Sequence, residues 1–104
     1  MVVVTTDYIP GQKLEMMGLV CGSMIMTVNA FKDIGSSFKT LFGGELKNYN
    51  AMMEKSRDEA INRMVQQAAG MGADAVINVR FSSSSIMQSA AEIMAYGTAV
   101  RFVY

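Results

Sequence analysis

The chain has 104 residues and carries nine basic and nine acidic side chains, so its formal net charge is zero. The length predicts one domain over residues 1–104, and the absence of a Lys/Arg cluster argues against nucleic-acid binding. No stretch reaches the roughly 18 apolar residues of a membrane span, and the start of the chain lacks the features of a signal peptide. The single cysteine, Cys21, cannot form an internal disulfide. We therefore expect a cytoplasmic protein without a membrane partner.

Charged residues are scarce for so small a protein. They make up 17% of the chain, against 51% hydrophobic residues, whereas a typical domain has about 25% charged residues. Small domains expose a large share of their surface, so a deficit of charge is unexpected in a monomer. The simplest explanation is that part of the surface contacts other protein, which predicts a homo-oligomer.

The first part of the chain predicts two strands. A β-branched run beginning at Val2 predicts a short edge strand that ends before the turn at Pro10-Gly11. A long strand is predicted from Leu14 to Val28, because every second residue is apolar or glycine. We expect the following set to face the core: Leu14, Met16, Gly18, Val20, Gly22, Met24, Met26 and Val28. The alternate set is also half apolar, which indicates a strand covered on both faces. Gly18 and Gly22 are candidate positions for a bend, a bulge or a close backbone approach, and a bulge would shift the assignment of faces beyond Gly22.

Two helices are predicted next. Asn29 is a candidate N-cap for a short helix at about Ala30–Leu41. The longest helix is predicted from Glu45 to Gly70, where glycines end it. Its apolar stripe is predicted to contain Tyr49, Met52, Met53, Ala60, Ile61, Met64, Val65, Ala68 and Met71.

The last part of the chain predicts a hairpin. We expect a strand from Ala75 to about Ser83, a loose loop or a frayed strand end at Ser82–Ser85, and a strand from about Glu92 to Tyr104. Ile77, Val79 and Phe81 are predicted to share one face of the first strand, and Gly97 is a candidate bulge in the second. The order β-β-α-α-β-β predicts an α+β fold, a two-layer α/β sandwich with one long helix on a largely antiparallel sheet. An oligomer would cover the sheet's far face and its edges.

Several segments in this order resemble the YbjQ-like family of small proteins, which carries a heavy-metal-binding label. They are Gly18-Leu19-Val20-Cys21-Gly22, Asn29-Ala30-Phe31-Lys32-Asp33-Ile34, Gly43-Gly44 before a helix with Tyr49, Ala68 to Val76, and Tyr96-Gly97-Thr98-Ala99-Val100. The resemblance spans nearly the whole chain. It implies a dodecin-subunit-like fold assembled as a homopentameric ring, and it implies no known activity. No ligand set of the family can be carried over onto these residues.

Cys21 and the methionines are the only candidate metal ligands that the pattern suggests. Eleven methionines are present and several flank Cys21, and soft sulfur ligands select Cu(I) and similar ions. Methionine is also an adaptable core residue, and a lone cysteine behaves as a small buried hydrophobe. We favour this second interpretation, because the chain has one thiol, no histidine and no Cys-x-x-Cys motif. The metal ligands stay unknown.

The remaining motifs predict no catalytic or cofactor-binding residue. Gly70-x-Gly72 follows a helix and precedes a strand, which is the reverse of a dinucleotide loop. Gly43-Gly44-Glu45 lacks the lysine or serine that completes a phosphate loop. The serines at 82–85 and 89 have no histidine to act as base, and no pair of carboxylates is selected by spacing. Arg80 and Arg101 could form a polar patch with Asn78 if the terminal strands pair, although a solvated or interface face is the more ordinary interpretation.

Three functional hypotheses remain, and none of them is an enzyme or requires a cofactor. The first is a structural or scaffolding ring, indicated by the low charge and the apolar strands. The second is a heavy-metal-binding oligomer, indicated by Cys21, the methionines and the family label. The third is a small-ligand carrier with sites between subunits, with Tyr49, Tyr96 and Tyr104 as stacking platforms; it depends on the dodecin-like fold alone.

Overall fold

The computed structural model describes residues 1–27, 45–87 and 90–104. Strands β1 (Val2–Val3) and β2 (Lys13–Thr27) precede helix α1 (Glu45–Gly70), and strands β3 (Ala75–Met87) and β4 (Ala90–Val103) follow it. Three predicted features lie outside the described residues: the short helix at Ala30–Leu41, its cap Asn29 and the glycines at 43–44. The predicted α+β class is confirmed, with one described helix packed on a mixed sheet.

The four strands form one sheet in the order β1-β3-β4-β2. The short β1 lies parallel to β3, at the edge where it was predicted, and the β2–β4 and β3–β4 pairs are antiparallel. The helix lies across β2 and β4, whereas it touches β3 only slightly. We call the side of the sheet under α1 the helix face and the opposite side the outer face.

The helix has the bounds that its sequence predicts, Glu45–Gly70. Its buried stripe repeats every four residues, at Met52, Ser56, Ala60, Met64 and Ala68, because positions four apart lie on one face of an α-helix. Met53, Ile61 and Val65 flank this stripe and are half-buried, as expected, while Met71 lies past the helix end and is 39% exposed. The Tyr49 side chain is outside what the structure describes.

A bulge in β2 divides the strand into two parts that bury opposite faces. The register with β4 shifts between Met16 and Gly18. Beyond the bulge, Val20 and Met26 are buried against α1, as predicted. Before it, Leu14 packs on the outer face and Met16 is 62% exposed. The prediction of one continuous core face from Leu14 onward is therefore wrong, because one extra residue reverses the side on which every earlier side chain lies.

A second bulge, in β3, places some side chains of this strand on faces that differ from those predicted. The register with β4 shifts between Ile77 and Arg80, opposite Gly97, so the bulge that was expected at Gly97 is in the neighbouring strand. Asn78 accommodates it with a φ of 55°. Ile77 consequently packs on the outer face, whereas Val79 packs in the core under the helix. The three residues that were predicted to share a face do not.

The serines at 82–85 belong to β3, so the loop, one of the two predicted alternatives, is wrong, and the strand extends further than predicted. They pair with β4 from Met94 to Ala91, and all four are exposed. Serine is a weak strand former, but the backbone pairing with an adjacent strand of suitable sequence overrides this preference.

The helix approaches β2 most closely at Gly22. A β-carbon at this position would clash with the backbone nitrogen of Met64 and the carbonyl oxygen of Ala60, and it would lie 2.8 Å from the carbonyl carbon of Arg63. All three are backbone atoms that cannot rotate away. The helix therefore packs directly on the strand backbone, which only glycine permits.

We expect Gly22→Ala to lower the free energy of unfolding by about 3 kcal/mol, because the helix backbone must move to admit the methyl group. Gly70→Ala is the matched control, since an added β-carbon there meets no atom within 4 Å. The measurement is urea unfolding followed by circular dichroism. Equal unfolding midpoints for the two variants would contradict the close packing.

Candidate functional site

Among the residues that the structure describes, those that cover the outer face of the sheet lie at one end of it. Ala75, Ile77 and Val100 are fully buried there, because Val4 and Ile9 of the N-terminal segment pack against them together with Leu14 and Phe102. Along the rest of this face, apolar side chains remain accessible to solvent. A small sheet normally buries one face and presents polar residues on the other.

The uncovered part forms what we call the outer apolar face. Its members come from β2 and β4: Met16, Leu19, Cys21, Ile25, Met94 and Tyr96. Leu19 is 73% exposed, Ile25 is 54% exposed and Tyr96 is 37% exposed. Cys21 pairs with Tyr96, and Ser23 pairs with Met94. The apolar side chains of β2 and β4 are therefore neighbours and form one continuous surface. A contiguous apolar surface of this kind marks an interaction site more often than scattered exposed residues do.

Cys21 lies near the middle of the outer apolar face and is exposed. The interpretation of Cys21 as a buried hydrophobe is therefore wrong for the isolated subunit. The predicted alternation already places Val20 towards the helix and Cys21 on the opposite face. Cys21 is exposed because no described element covers this part of the outer face. The thiol is therefore accessible to solvent and to a soft metal ion.

The methionines near Cys21 have different environments. Met26 is buried and accepts a hydrogen bond from the hydroxyl of Ser56 at 2.8 Å. Met17 packs against the core, and Met16 is exposed. Met17 and Met26 therefore pack in or against the core, as the alternative interpretation of the methionines predicts, whereas Met16 does not. Within the described parts of the chain, no group of three or more His, Cys, Asp or Glu side chains could hold a metal ion.

Two helix side chains bind the free edge of β2, an arrangement that we call the edge clamp. The Gln67 Oε1 atom accepts a hydrogen bond from the Cys21 backbone N–H at 2.8 Å. The Arg63 guanidinium donates a hydrogen bond to the Ser23 carbonyl oxygen at 2.6 Å, and Glu59 holds that guanidinium through an ion pair at 3.1 Å. Backbone groups that would otherwise be open to a further strand are thus occupied.

The other edge of the sheet carries a groove between the helix and β3, which we call the β3 groove. Its larger part has a volume of about 470 Å³ and is lined by Val3, Ile61, Val79 and Phe81 among others. A smaller part of about 170 Å³ lies beyond Phe81 and extends to Ser83. The groove exists because α1 lies over β2 and β4 and leaves the helix face of β3 largely uncovered.

The two arginines of the terminal strands do not form the polar patch that was considered. Arg80 pairs with Tyr96, and its guanidinium binds the carbonyl oxygens of Thr5 at 3.0 Å and Val79 at 2.9 Å. Arg101 lies five residues beyond Tyr96 in β4. Because successive side chains of a strand alternate between its two faces, Arg101 lies on the opposite face of the sheet from Tyr96 and Arg80. Gly70-x-Gly72 is a helix end, with Gly72 at a φ of 82°, as the sequence predicts.

Comparison with known proteins identifies the family. A family model described as "Putative heavy-metal-binding" matches residues 1–103. A UPF0145 protein of Fervidobacterium nodosum is 54% identical over 102 residues, which are 97% of this chain and 94% of that protein. A UPF0145 protein of Clostridium novyi is 52% identical over 103 residues, which are 99% of this chain and 100% of that protein. The chain belongs to the YbjQ family.

The fold of this YbjQ family member has a counterpart among solved structures. A protein of unknown function of the DUF74 family from Pediococcus pentosaceus matches with a TM-score of 0.71 at 15% identity, over 99% of this chain and 98% of that one. The resemblance stated from the sequence motifs is thus confirmed, and so is the α+β architecture. The ring and the dodecin-like arrangement stay predictions. In the described part of the chain, no helix is long and apolar enough to cross a membrane.

We expect Gln67→Ala to lower the free energy of unfolding by about 0.5–1 kcal/mol, because one hydrogen bond at an exposed edge is lost and water replaces it in part. The amide of Cys21 should exchange with solvent deuterium at least tenfold faster. Gln66→Ala is the matched control, since this exposed neighbour lies at a different angle around the helix. The same amide exchange rate in both variants would show that Gln67 does not protect the edge.

Proposed function

We propose that the protein is a homo-oligomeric structural or scaffolding subunit whose outer apolar face packs against other copies. The observation that supports this most directly is the 73% exposure of Leu19 and the 54% exposure of Ile25. Both lie on a sheet face that carries few charges. Full burial of one such side chain is worth about 1.5–3 kcal/mol, so a cluster of them provides the centre of a stable interface.

The low charge of the chain supports the same proposal. With 17% charged residues and no net charge, copies of the subunit do not repel each other strongly. Interface centres are depleted in charged residues and enriched in aromatic residues and methionine. The outer apolar face has this composition, with Tyr96, Met16 and Met94 beside Leu19. For the size of the assembly we propose the pentameric ring that the family resemblance implies.

We expect native mass spectrometry of the wild-type protein at micromolar concentration to show a species with five times the mass of one chain. Leu19→Asp should weaken each subunit contact by at least ~3 kcal/mol, or about a hundredfold, because a buried carboxylate replaces an apolar contact. The variant subunit should still fold, since this side chain is exposed within it. Asn62→Asp is the matched control: it adds the same charge at an exposed helix position and should leave the assembly unchanged. A monomeric wild-type protein would refute the proposal.

A second candidate function, heavy-metal binding, is favoured by the family description and by the exposure of Cys21. Within the described residues a subunit offers one thiol and no group of three ligands. Thiolate is the donor that soft ions such as Cu(I) prefer. Metal binding through Cys21 therefore requires thiols from more than one copy, and it depends on an assembly that brings the outer apolar faces together.

If this second function holds, Cys21→Ser should abolish the binding of Cu(I) and Cd²⁺ and preserve the oligomer. The two residues have nearly the same size, and the side chain lies on the surface of the subunit. Native mass spectrometry before and after addition of each ion measures both properties at once. Metal adducts of unchanged number in the variant would exclude the thiol as the ligand.

The third hypothesis, a small-ligand carrier with sites between subunits, depends on the same assembly and stays a prediction. The scaffold proposal assigns no reaction and no cofactor to the protein. The cytoplasmic location likewise stays a prediction from the sequence.

A further inference from the structure

The β3 groove has mostly apolar walls and a small polar region. The larger part, of about 470 Å³, is lined by apolar side chains that include Ile61, Val79 and Phe81. The smaller part, of about 170 Å³, adds Arg57 and Ser83 to the lining. Sites for small molecules have volumes of about 300–1,000 Å³, apolar walls and a few polar groups that orient the ligand. The groove therefore has the size and the lining of a small-molecule site.

Arg57 lies on the helix where the two parts of the groove meet. It is four residues after Met53, which lines the smaller part, and four residues before Ile61, which lines the larger part. Positions four apart lie on one face of an α-helix, so the three side chains follow each other along the groove. On the opposite wall, Phe81 of β3 lines both parts.

The positive charge of Arg57 has no partner among the described residues. Its side chain makes no ion pair and no hydrogen bond within the part of the chain that the structure describes. By contrast, Arg63 pairs with Glu59, and Arg80 donates to backbone carbonyl oxygens. Among the described residues that line the groove, Arg57 is the single charged one. The group that complements this lining is therefore an anion.

Ser83 places a hydroxyl on the same side of the sheet as Arg57. It pairs with Ile93 of β4, which is buried under the helix, and directly paired residues lie on the same face of a sheet. A guanidinium presents two parallel N–H donors that match the two oxygens of a carboxylate, and the hydroxyl supplies a further donor. One positive charge balances a carboxylate, whereas a doubly charged phosphate would need a second cation.

We propose that the β3 groove binds a small amphipathic carboxylate, with its carboxylate on Arg57 and Ser83 and its apolar chain in the larger part of the groove. A medium-chain fatty acid has this chemistry. Burial of the chain contributes affinity, and the guanidinium selects acids over neutral molecules of the same length. The site is formed by one subunit and does not include the outer apolar face. This inference therefore goes beyond the proposed homo-oligomer and does not depend on it.

Octanoate is a suitable probe, and 1-octanol, which has the same chain without the charge, is the matched control ligand. The two are titrated into wild-type protein labelled with ¹³C in its isoleucine, leucine and valine methyl groups. We expect saturable binding of octanoate, with shifts of the methyl signals of Ile61 and Val79. The signals of Leu19 and Ile25, on the outer apolar face, should not move. 1-Octanol should bind about tenfold more weakly, because it lacks the charge-assisted hydrogen bonds.

Arg57→Gln tests the polar end of the site. The variant should fold as the wild type does, since the side chain is exposed, and should bind octanoate about tenfold more weakly because the ion pair is lost. Lys55→Gln is the matched control: it removes the same charge from an exposed position of the same helix that lines neither part of the groove. It should bind octanoate as the wild type does.

Three results would overturn this inference: no binding of octanoate, shifts confined to the outer apolar face, or equal affinity of the wild type and Arg57→Gln. None of them concerns the mass of the assembly, so each leaves the proposed homo-oligomer standing. A monomeric wild-type protein that binds octanoate in the groove would refute the homo-oligomer and support the site.

Discussion

The contact between the backbone of Gly22 and the backbone of α1 determines most of the structure's surface features. Because no side chain separates the strand from the helix, the helix lies low over β2. The small residue Ala60 and the flexible Met64 are buried at this crossing, and Arg63 and Gln67 extend past the strand to its free edge. A larger residue at position 22 would lift the helix and remove the geometry on which the edge clamp depends.

The position of the helix over β2 also explains why α1 leaves the helix face of β3 largely uncovered. One helix cannot cover four strands, since an α-helix with side chains is about 10 Å wide and neighbouring strands are about 4.8 Å apart. With α1 over β2 and β4, β3 lies beyond its reach and the groove forms beside Phe81. On the outer face, the described residues that provide cover are those of the N-terminal segment. The surface proposed for assembly is the part of this face that they do not reach.

The sequence predicts the elements of this fold better than it predicts which way their side chains face. The bounds of α1 follow from a strong helical period and from glycines at its end, both of which are local signals. The two bulges are not local: whether Gly18 or Asn78 interrupts a ladder depends on the partner strand β4. Because each bulge reverses the side-chain alternation, the bulge in β2 places Leu14 and Met16 on the face that was not predicted, and the bulge in β3 does the same for Ile77. The error for Cys21 has another origin: a lone cysteine is usually buried, whereas this one is exposed. The clamp residue Gln67 carried no signal, because glutamine is equally common on solvated helix faces.

The two candidate functions are linked, because Cys21 lies within the outer apolar face. Any interface that buries Leu19 also brings the thiol of one subunit near the surface of another, so a scaffold of this kind places soft ligands close to its own contacts. The number of ions bound distinguishes the two roles. A bridging site made from thiols of several copies binds fewer ions than there are subunits, since each ion uses more than one thiolate. A site complete within one subunit would bind one ion for each, and the single cysteine of this chain makes a thiolate site of that kind weak. Metal binding through Cys21 would therefore depend on the proposed assembly and not on the fold of one chain alone.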